Sequence, residues 1–441
     1  MAWYDCAVFY HIYPLGMLGG GQKLPALEAV LPHLCELGVN ALYLGPIFMS
    51  STHGYDTTDY FHVDARLGTD DDFAHFVAAC HSHGVRVIVD GVFNHVGRDF
   101  WGFKEALRDG EKSIAWRWFV GLTSDPNAPN GVRYDTWEGH ETLVKLDLAN
   151  PDTRNHLFGA VDSWIDRFDI DGIRLDAADC LTPDFIAALR KHVDARRQEF
   201  YLMGEVIHGD YRAWANEGMC NGTTNYEAYK GIWSSHNDNN FFEIAYTLNR
   251  QFGDQGIYRG LSMYSFVENH DVERLASKLR DSRDLFTAYA MMFFMPGIPS
   301  IYYGGEWGMR GKKGTGYEAD LAIRPAIAPT DLTSGNVAPT GDEKNDLCKA
   351  IARFSKVRRS NDDIMLGSYA QIEVAPQHII FKRGYCTICA ISKAADPKCV
   401  DIAVEPGTYV DVLNDDRKYD AHDGRLKFTM FAHWANVLRK I

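Results

Sequence analysis

Short apolar runs alternate with amphipathic helical patterns from the beginning of the chain to about residue 305. Each run has the length of a buried strand, and the helical segments between the runs are longer. Eight such strand–helix pairs over roughly 300 residues predict a (β/α)8 barrel of the α/β class. The predicted strands are Val8–Tyr13, Ala41–Pro46, Arg86–Phe93, Gly172–Ala177, Phe200–Val206, Thr223–Tyr226, Met263–Glu268 and Ser300–Tyr303.

One connection in this pattern is much longer than the others. About sixty residues separate Phe93 from Thr153, and they hold four tryptophans. So aromatic a segment is not expected to be disordered, and it predicts a small subdomain inserted after the third strand, over the C-terminal mouth of the barrel. The main predicted helices are Leu24–Leu37, Asp70–His83, Thr153–Phe168, Thr182–Arg197 and Arg283–Phe294.

The pattern changes after about residue 360 to short strand candidates separated by turn residues. Such spacing is typical of an all-β domain, and a C-terminal β-sandwich is predicted. The predicted domains are a barrel at residues 1–94 and 149–359, an inserted domain B at 95–148 and a β-sandwich at 360–441. The strand candidates of this last domain are Tyr369–Val374, His378–Arg383, Tyr385–Ser392, Val400–Val404, Thr408–Val412 and Leu426–Thr429.

Composition narrows the classes of partner. The 441 residues carry a formal charge of −14, which argues against a nucleic-acid backbone or an anionic membrane surface and fits a neutral substrate. We see no apolar run of ~18 residues and no signal-peptide pattern at the start, so neither a membrane span nor a leader is expected. Nine scattered cysteines predict reduced thiols in a cytoplasmic protein. Cys386 and Cys389 face opposite ways on a predicted strand, which disfavours a zinc or redox site.

The segment Asp171-Gly-Ile-Arg-Leu-Asp-Ala-Ala-Asp179 carries charge on a buried strand. Arg174 and Asp176 are two residues apart, so both side chains point to the same side of the strand. Unpaired buried charges are costly, and the pair is therefore either a structural ion pair or part of a functional site. Taken alone, the segment does not separate these two interpretations.

Carboxylates end four of the predicted strands, at the barrel face where enzymes of this fold carry their catalytic residues. Four such endings together are hard to explain as structural ion pairs. The endings are Asp90-Gly-Val-Phe-Asn-His95 on the third strand, Arg174 with Asp176 on the fourth, Gly204-Glu-Val206 on the fifth and Glu268-Asn-His-Asp271 on the seventh.

Enzymes that break a glycosidic bond use two carboxyl groups in different environments. One must be ionised to attack the sugar carbon, and the other must hold a proton for the leaving oxygen. Arg174 favours the ionised form of Asp176, which suits a nucleophile. The apolar neighbours of Glu205 raise the pKa of a carboxyl group, which suits a general acid.

These four strand ends resemble the four signature regions of glycoside hydrolase family 13, the α-amylase family, in order and on the expected strands. The resemblance covers nearly the whole chain, including domain B and the C-terminal β-domain. It implies that Asp176 is the nucleophile that forms a β-glycosyl-enzyme, Glu205 the general acid/base and Asp271 the stabiliser of the transition state. It also implies a retaining mechanism, with Asp176 and Glu205 about 5 Å apart, and no cofactor for the chemistry.

The same resemblance implies a set of sugar-binding residues. His95, Arg174 and His270 would hold the sugar in the −1 subsite. Tyr55, within His53-Gly-Tyr-Asp-Thr-Thr-Asp-Tyr60, is similar to the aromatic platform that stacks on that sugar, with a core tyrosine as the alternative. A looser match identifies the two residues four apart before Pro325 as a further sugar-binding pair, Asp320 and Arg324.

Some positions depart from the secreted α-amylases. Asp179 and Cys180 stand where many of those enzymes carry a Lys-His pair, a pattern closer to the cyclomaltodextrinase and neopullulanase group. Leu143-Val-Lys-Leu-Asp-Leu148 is similar to that group's extra motif, and His208 to one of its histidines with an acceptor-side role. Those enzymes usually have an N-terminal β-domain that builds their dimer, and this chain begins with the first barrel strand. The oligomeric state is therefore left open.

Asn94 is similar to a position that binds structural Ca²⁺ in many α-amylases, through a side-chain oxygen that suits a hard cation. Cys180 replaces a histidine in the segment that supplies other ligands, although a backbone carbonyl there could serve. Calcium therefore stays an open expectation. The alternative for Asn94 is a hydrogen bond that ties domain B to the barrel.

The leading functional hypothesis is a hydrolase of α-1,4-linked maltooligosaccharides. An α-glucan transglycosylase and a cyclomaltodextrinase are close alternatives, because all three share the glycosyl-enzyme. Aromatic residues at acceptor subsites, such as Trp233 and Tyr226, could decide between water and sugar as acceptor. A non-catalytic binding subunit of the same fold is disfavoured, since all three carboxylates are present. Chain length, cyclodextrin or pullulan use and tolerance of α-1,6 bonds are not given by the sequence.

Overall fold

Eight barrel strands form and lie in one parallel sheet, as predicted. The sixth strand, Gly222–Thr223, overlaps its prediction only at Thr223, because Asn225 caps a helix that begins at Tyr226. The computed structural model describes residues 2–19, 21–315, 319–337 and 344–441. Neighbours in the sheet follow the chain from the sixth strand back to the first and then through the eighth to the seventh. In chain order the strands are Phe9–Ile12, Ala41–Leu44, Arg86–Gly91, Gly172–Leu175, Tyr201–Gly204, Gly222–Thr223, Tyr264–Phe266 and Ile298–Tyr302.

The sheet closes into a barrel between its sixth and seventh strands. Thr224 and Tyr264 form a parallel bridge there, and the backbone N–H of Asn225 donates to the carbonyl of Tyr264 at 2.8 Å. The sixth strand has only two residues, so this seam is short. Since strand ends at one face of a barrel converge, closure gathers the charged ends of the third, fourth, fifth and seventh strands.

The helices pack outside the barrel and begin at clear caps. Thr182, for example, accepts a hydrogen bond from the backbone N–H of Phe185, as an N-cap residue does. Every helix among the described residues is too short or too polar to span a bilayer. The longer helices are Asp70–Ser82, Pro151–Phe168, Pro183–Arg196, Tyr226–Asn237, Phe241–Phe252, Asp284–Phe294 and Lys344–Arg359.

The first predicted helix differs in kind from its prediction. Leu24–Val30 is a 3-10 helix, and only Leu31–Glu36 is α-helical. Pro32 has no N–H to donate to the preceding turn, so an α-helix cannot run through it unbroken. Proline is tolerated in the first turn, which is where Pro32 lies.

The long segment after the third strand is folded. His95–Gly97, Thr136–Trp137 and His140–Lys145 form a three-stranded antiparallel sheet, and Trp101–Asp109 is a helix beside it. The backbone N–H of Leu146 donates to the carbonyl of Asn94 at 3.0 Å, which ties the end of this segment to the barrel. The boundaries of domain B at residues 95 and 148 stay a prediction.

The C-terminal region consists of antiparallel sheets, and two of its strands were not predicted. These are Arg417–Ala421, a polar strand at the sheet edge, and Trp434–Lys440, a central strand that buries Asn436 against Asp411. Polar residues on an edge strand, or buried within a central strand, interrupt the apolar alternation from which a strand is predicted. The six-stranded sheet has the order Tyr369–Ala375, His378–Arg383, Thr387–Ser392, Trp434–Lys440, Gly407–Asp411 and Arg417–Ala421, and Lys398–Ala403 pairs with Arg425–Met430 in a second sheet.

Two buried arginines bind the end of one barrel helix, and Arg383 thereby joins the barrel to the C-terminal sheet. Arg358 donates to the carbonyl of Phe293 at 2.9 Å, and Arg383 donates to the carbonyl of Phe294 at 2.7 Å. Both carbonyls end the helix Asp284–Phe294. The guanidinium groups therefore satisfy orphan carbonyls and counter the negative end of the helix dipole.

Candidate active site

Arg174 lies at the centre of the candidate site and binds three carboxylates. Its Nη1 donates to Oδ1 of Asp90 at 2.7 Å and to Oδ1 of Asp176 at 2.8 Å, and its Nη2 lies 2.8 Å from Oε2 of Glu205. The side chain of Arg174 is only 3% exposed. The structure thus brings together the charged ends of the third, fourth and fifth strands around one guanidinium.

Asp90 is the member of this group to which the sequence interpretation gave no role. Its residue is in register with Arg174 on the neighbouring parallel strand, so the two side chains point to the same side. Tyr43 also donates to Asp90, at 2.9 Å. Burial raises the pKa of Asp90 to about 7, with Arg174 opposing the rise. Register on adjacent strands was the signal that could have found it.

Glu205 is the carboxyl group whose environment most favours the protonated form. Burial raises its pKa to about 8; Arg174 opposes this rise, and the neighbouring charges of Asp176 and Asp271 add to it. Besides Arg174, the backbone N–H of Ala177 reaches Oε2 at 3.1 Å. Ala177 has a left-handed backbone with φ of 43°, which turns that N–H toward the acid. The raised pKa agrees with the direction predicted from its apolar neighbours.

Asp271 is held by the seventh strand end and by a pair from later in the chain. Nη2 of Arg324 donates to its Oδ1 at 2.9 Å, and Nε2 of His270 lies 3.0 Å from its Oδ2. Arg324 is also 2.9 Å from Asp320, which in turn is 3.2 Å from Lys313. The predicted pair therefore reaches the site. Arg324 contacts Asp271 directly, and Asp320 contacts Arg324.

Tyr55 and His270 form an aromatic wall beside these carboxylates. The Tyr55 hydroxyl donates to Oδ2 of Asp90 at 3.2 Å and also contacts Nε2 of His270. The rings of Tyr55 and Tyr13 each lie 5.7 Å from the His270 ring at an angle of 9°. Burial holds the pKa of His270 well below its usual range, so this imidazole is neutral near pH 7. Tyr13 was not predicted as a site residue.

His95 is buried at the junction of the barrel and the inserted segment. Its ring lies 5.5 Å from the indole of Trp137, which belongs to that segment. Burial lowers the pKa of His95, which keeps this imidazole neutral as well. His208, in contrast, is exposed in the loop after the fifth strand and stands outside the buried group.

Glu268 is a structural carboxylate. It is buried and contacts Nη1 of the buried Arg274 at 3.4 Å, and it accepts a hydrogen bond from the backbone N–H of Leu275. The two carboxylates at the end of the seventh strand therefore differ in their partners. Glu268 pairs with Arg274, and Asp271 lies near Glu205. For Glu268 the ion-pair interpretation is the correct one.

The surroundings of Asn94 only partly suit a calcium ion. Its side-chain oxygen is buried without a hydrogen-bond partner, as a metal ligand would be. Calcium needs six to eight oxygen ligands, and one orphan amide oxygen does not supply them. The tie between Asn94 and the inserted segment is made by its backbone carbonyl. The residues therefore do not define a calcium site, and calcium stays an open expectation.

One group of acidic and histidine side chains among the described residues is close enough to hold a metal: Asp281, Asp284 and His433. Cations and donors already satisfy it, since Arg283 pairs with Asp281 and Lys393 lies 2.8 Å from Asp284. Arg283 holds the pKa of Asp281 at about 2. The group is best described as an ion-pair network between the helix Asp284–Phe294 and the C-terminal region.

Comparison with known proteins identifies relatives of this chain. A cyclomaltodextrinase from Thermoanaerobacter pseudethanolicus is 32% identical over 387 residues, which are 83% of this chain and 62% of that protein. An intracellular maltogenic amylase from Bacillus subtilis is 29% identical over 337 residues, or 70% of this chain and 57% of that protein. The chain spans between 51% and 62% of the length of the first three curated relatives.

Solved structures give the same picture over the full chain. The cyclic α-maltosyl-(1→6)-maltose hydrolase from Arthrobacter globiformis, in complex with maltose, matches 100% of both chains with a TM-score of 0.83 and 27% identity. Residues 24–363 match the family described as the α-amylase catalytic domain, and this range is well over half of the chain. The chain therefore belongs to the α-amylase family.

Proposed function

We propose that the protein is a retaining α-glycoside hydrolase that cleaves α-1,4-glucosidic bonds in maltooligosaccharides. The observation that carries the proposal is the sharing of Arg174 by Asp176 and Glu205, with burial holding a proton on Glu205. A single guanidinium keeps the two carboxyl groups close, as a retaining enzyme requires. One group is paired with a cation for attack and the other is set for proton donation.

In the first step, an oxygen of Asp176 attacks the anomeric carbon. The bond to the leaving sugar breaks with its electron pair, and the leaving oxygen takes the proton of Glu205. The products are a β-glycosyl ester on Asp176, a free sugar end and an ionised Glu205. Arg174 contacts both side chains and favours the ionised form of Glu205 that this step produces.

In the second step, Glu205 removes a proton from water, and the water oxygen attacks the anomeric carbon. The ester bond breaks, its electron pair returns to Asp176, and Glu205 is protonated again. Two inversions retain the α configuration. Asp271, held by Arg324 and His270, would stabilise positive charge on the sugar ring in both transition states.

The remaining site residues would bind the sugar. The Tyr55 ring would stack on the −1 sugar, and the neutral imidazoles of His95 and His270 would hydrogen-bond its hydroxyl groups. Asp320 would act beside Arg324. The exposed His208 would contact the acceptor side, which its loop position allows. The reaction needs no cofactor, and a neutral glucan suits the acidic chain.

Transglycosylation and cyclodextrin opening are the competing activities. Both use the same glycosyl-enzyme and differ in the acceptor or in the shape of the substrate. The relatives named as cyclomaltodextrinases favour the second alternative. A cytoplasmic location would fit a relative named as intracellular.

The proposed function is tested by a product profile. Purified protein is incubated with maltoheptaose, β-cyclodextrin and pullulan, and the products are separated by size. We expect shorter α-linked products from maltoheptaose. Mainly longer products would favour the transferase, and rapid opening of β-cyclodextrin would favour the cyclomaltodextrinase. No turnover of any α-glucan would refute the enzyme proposal.

The pH profile should report the protonated state of Glu205. The acid must carry its proton in the free enzyme, so kcat/KM on maltotriose should fall as the pH rises through about 8. Maltosyl fluoride, whose leaving group needs little protonation, should show a weaker decline. An alkaline limb for maltotriose near the usual glutamate pKa of about 4 would contradict this assignment.

A further inference from the structure

A directional chain of hydrogen bonds runs from Asp271 to Glu205. The backbone N–H of Asp271 donates to Oδ1 of Asn269 at 2.9 Å. Nδ2 of Asn269 donates to the Tyr226 hydroxyl at 3.1 Å, and that hydroxyl lies 3.3 Å from Oε1 of Glu205. The chain links the ends of the fifth and seventh strands through a residue that the proposed mechanism does not use.

The direction of this chain is fixed by its chemistry. A backbone N–H can only donate, so it identifies the oxygen of the Asn269 amide. The amide nitrogen then faces Tyr226 and also can only donate, so the phenol oxygen accepts. The single hydroxyl proton of Tyr226 is left for Glu205. Burial holds the pKa of Tyr226 well above its usual range, so the phenol keeps this proton throughout the working pH range.

The two oxygens of Glu205 are therefore not equivalent. Oε2 faces the guanidinium of Arg174 and the backbone N–H of Ala177, and both groups bring only hydrogens to it. These two donors occupy both lone pairs of Oε2, whereas Tyr226 occupies only one lone pair of Oε1, so the acid proton belongs on the remaining lone pair of Oε1. That is the oxygen beside Tyr226, and it is the one that exchanges a proton with the substrate and with water.

Tyr226 is held rigidly at the seam of the barrel. It is the first residue of the helix Tyr226–Asn237, whose N-cap residue Asn225 accepts a hydrogen bond from Ala228 at 3.0 Å. The Asn225 amide also exchanges two hydrogen bonds with the buried Gln251. The Tyr226 ring packs edge-on against Phe266 of the seventh strand, with ring centroids 5.0 Å apart. The hydroxyl therefore has little freedom to leave Glu205.

We propose that Tyr226 is a positioning residue that fixes Oε1 of Glu205 as the proton-exchanging oxygen and is itself held, through Asn269, by the backbone N–H of Asp271. The proposal rests on the role proposed for Glu205 as acid and base. This positioning role differs from that of an aromatic platform at an acceptor subsite, because the Tyr226 hydroxyl points at Glu205.

The bond has a defined effect on the two chemical steps. A donor to Oε1 favours the ionised carboxyl group, which is the product of the first step and the base of the second. The charged groups that face Glu205 are Arg174, Asp176 and Asp271. Burial raises the pKa of Glu205, and the hydrogen bond from Tyr226 opposes that rise. If the charged groups are unchanged, loss of the Tyr226 hydroxyl should therefore raise the pKa of Glu205 further.

The test is the variant Tyr226→Phe. We expect the alkaline limb of kcat/KM on maltotriose to move up by roughly 0.5 to 1 pH unit, as the loss of one hydrogen bond to a carboxylate implies. Near pH 7 the hydrolysis of the glycosyl-enzyme should slow by several-fold, because less Glu205 is ionised. With maltosyl fluoride this appears as a larger burst before a slower steady rate.

Tyr229→Phe is the matched control, since Tyr229 lies one turn further along the same helix and its ring also packs on Phe266. It should leave the limb and the burst as in the wild type. Asn269→Leu, which removes the donor behind Tyr226, should move the limb in the same direction by a smaller amount. A limb at the wild-type pH in Tyr226→Phe would overturn the proposal.

A second readout does not depend on turnover. The side-chain carboxyl carbons of glutamate are labelled with ¹³C, the Glu205 signal is identified by its loss in Glu205→Gln, and its pKa is followed by NMR. A higher pKa in Tyr226→Phe supports the positioning role, and an unchanged pKa refutes it. Absence of glucan hydrolysis by the wild type refutes the proposed function instead, so the two failures are distinguishable.

Discussion

Replacing Asp176 with asparagine should lower kcat on maltoheptaose by at least about 10⁴-fold, because the amide cannot form the glycosyl ester that both steps require. The fold should persist, since Arg174 keeps its contacts with Asp90 and Glu205. Rates are measured by reducing-end release, and the fold by circular dichroism and Tm. In Asp176→Gly, azide can enter the vacated space and accept the sugar, which yields a β-glycosyl azide.

Asp179→Asn is the control for this experiment. Asp179 is an exposed carboxylate three residues further along the same segment, so its variant should retain activity within several-fold of the wild type. If Asp176→Asn kept a tenth of the activity, or if azide rescue gave the α-glycosyl azide, then Asp176 would not be the nucleophile.

Replacing Arg174 with methionine should cost both stability and activity. Three buried carboxyl groups lose their shared cation, and breaking such a buried ion pair destabilises a protein by about 3–5 kcal/mol. Asp176 would lose its cationic partner and Glu205 the cation that favours its ionised form, so kcat should fall by roughly 10³-fold, as for the loss of other electrostatic contacts in active sites. The stability loss should be larger at pH 8 than at pH 5, because protonation of Asp90 and Glu205, whose pKa values are raised, relieves their repulsion at the lower pH.

Tm by calorimetry at the two pH values and kcat on the folded protein check this expectation. Arg190→Met is a suitable control, since Arg190 is also buried but binds the carbonyl of Phe200 and the side chain of Asp194 on the outside of the barrel. It should lower Tm and leave kcat of the folded protein near the wild-type value. An Arg174→Met variant with kcat within tenfold of the wild type would contradict the role of the shared cation.

Much of the barrel could be predicted from local pattern. Apolar runs with helices between them predict a parallel sheet because parallel strands need such crossovers, and eight such pairs favour a closed barrel. The carboxylates at the strand ends could be found in the same way, since barrel topology sends all those ends to one face. The direction of the Glu205 pKa shift followed from its apolar neighbours and agrees with the structure.

The remaining features depend on contacts between distant parts of the chain. Glu268 and Asp271 are three residues apart, yet one pairs with Arg274 and the other lies in the site, and no local pattern separates them. The hydroxyl of Tyr226 meets Glu205 only because the barrel closes beside it. For His208 the sequence pattern suggested a site residue, but the structure places the side chain in an exposed loop outside the buried group.

The two arginines at the end of the helix Asp284–Phe294 also constrain the order of folding during synthesis. The last carbonyls of this barrel helix are satisfied by Arg358 and by Arg383, which lies on a strand of the C-terminal sheet. The ribosome therefore releases the whole barrel sequence before the residue that completes one of its helices. The carbonyl of Phe294 therefore gains its hydrogen bond from Arg383 only after the C-terminal sheet has emerged and docked on the barrel.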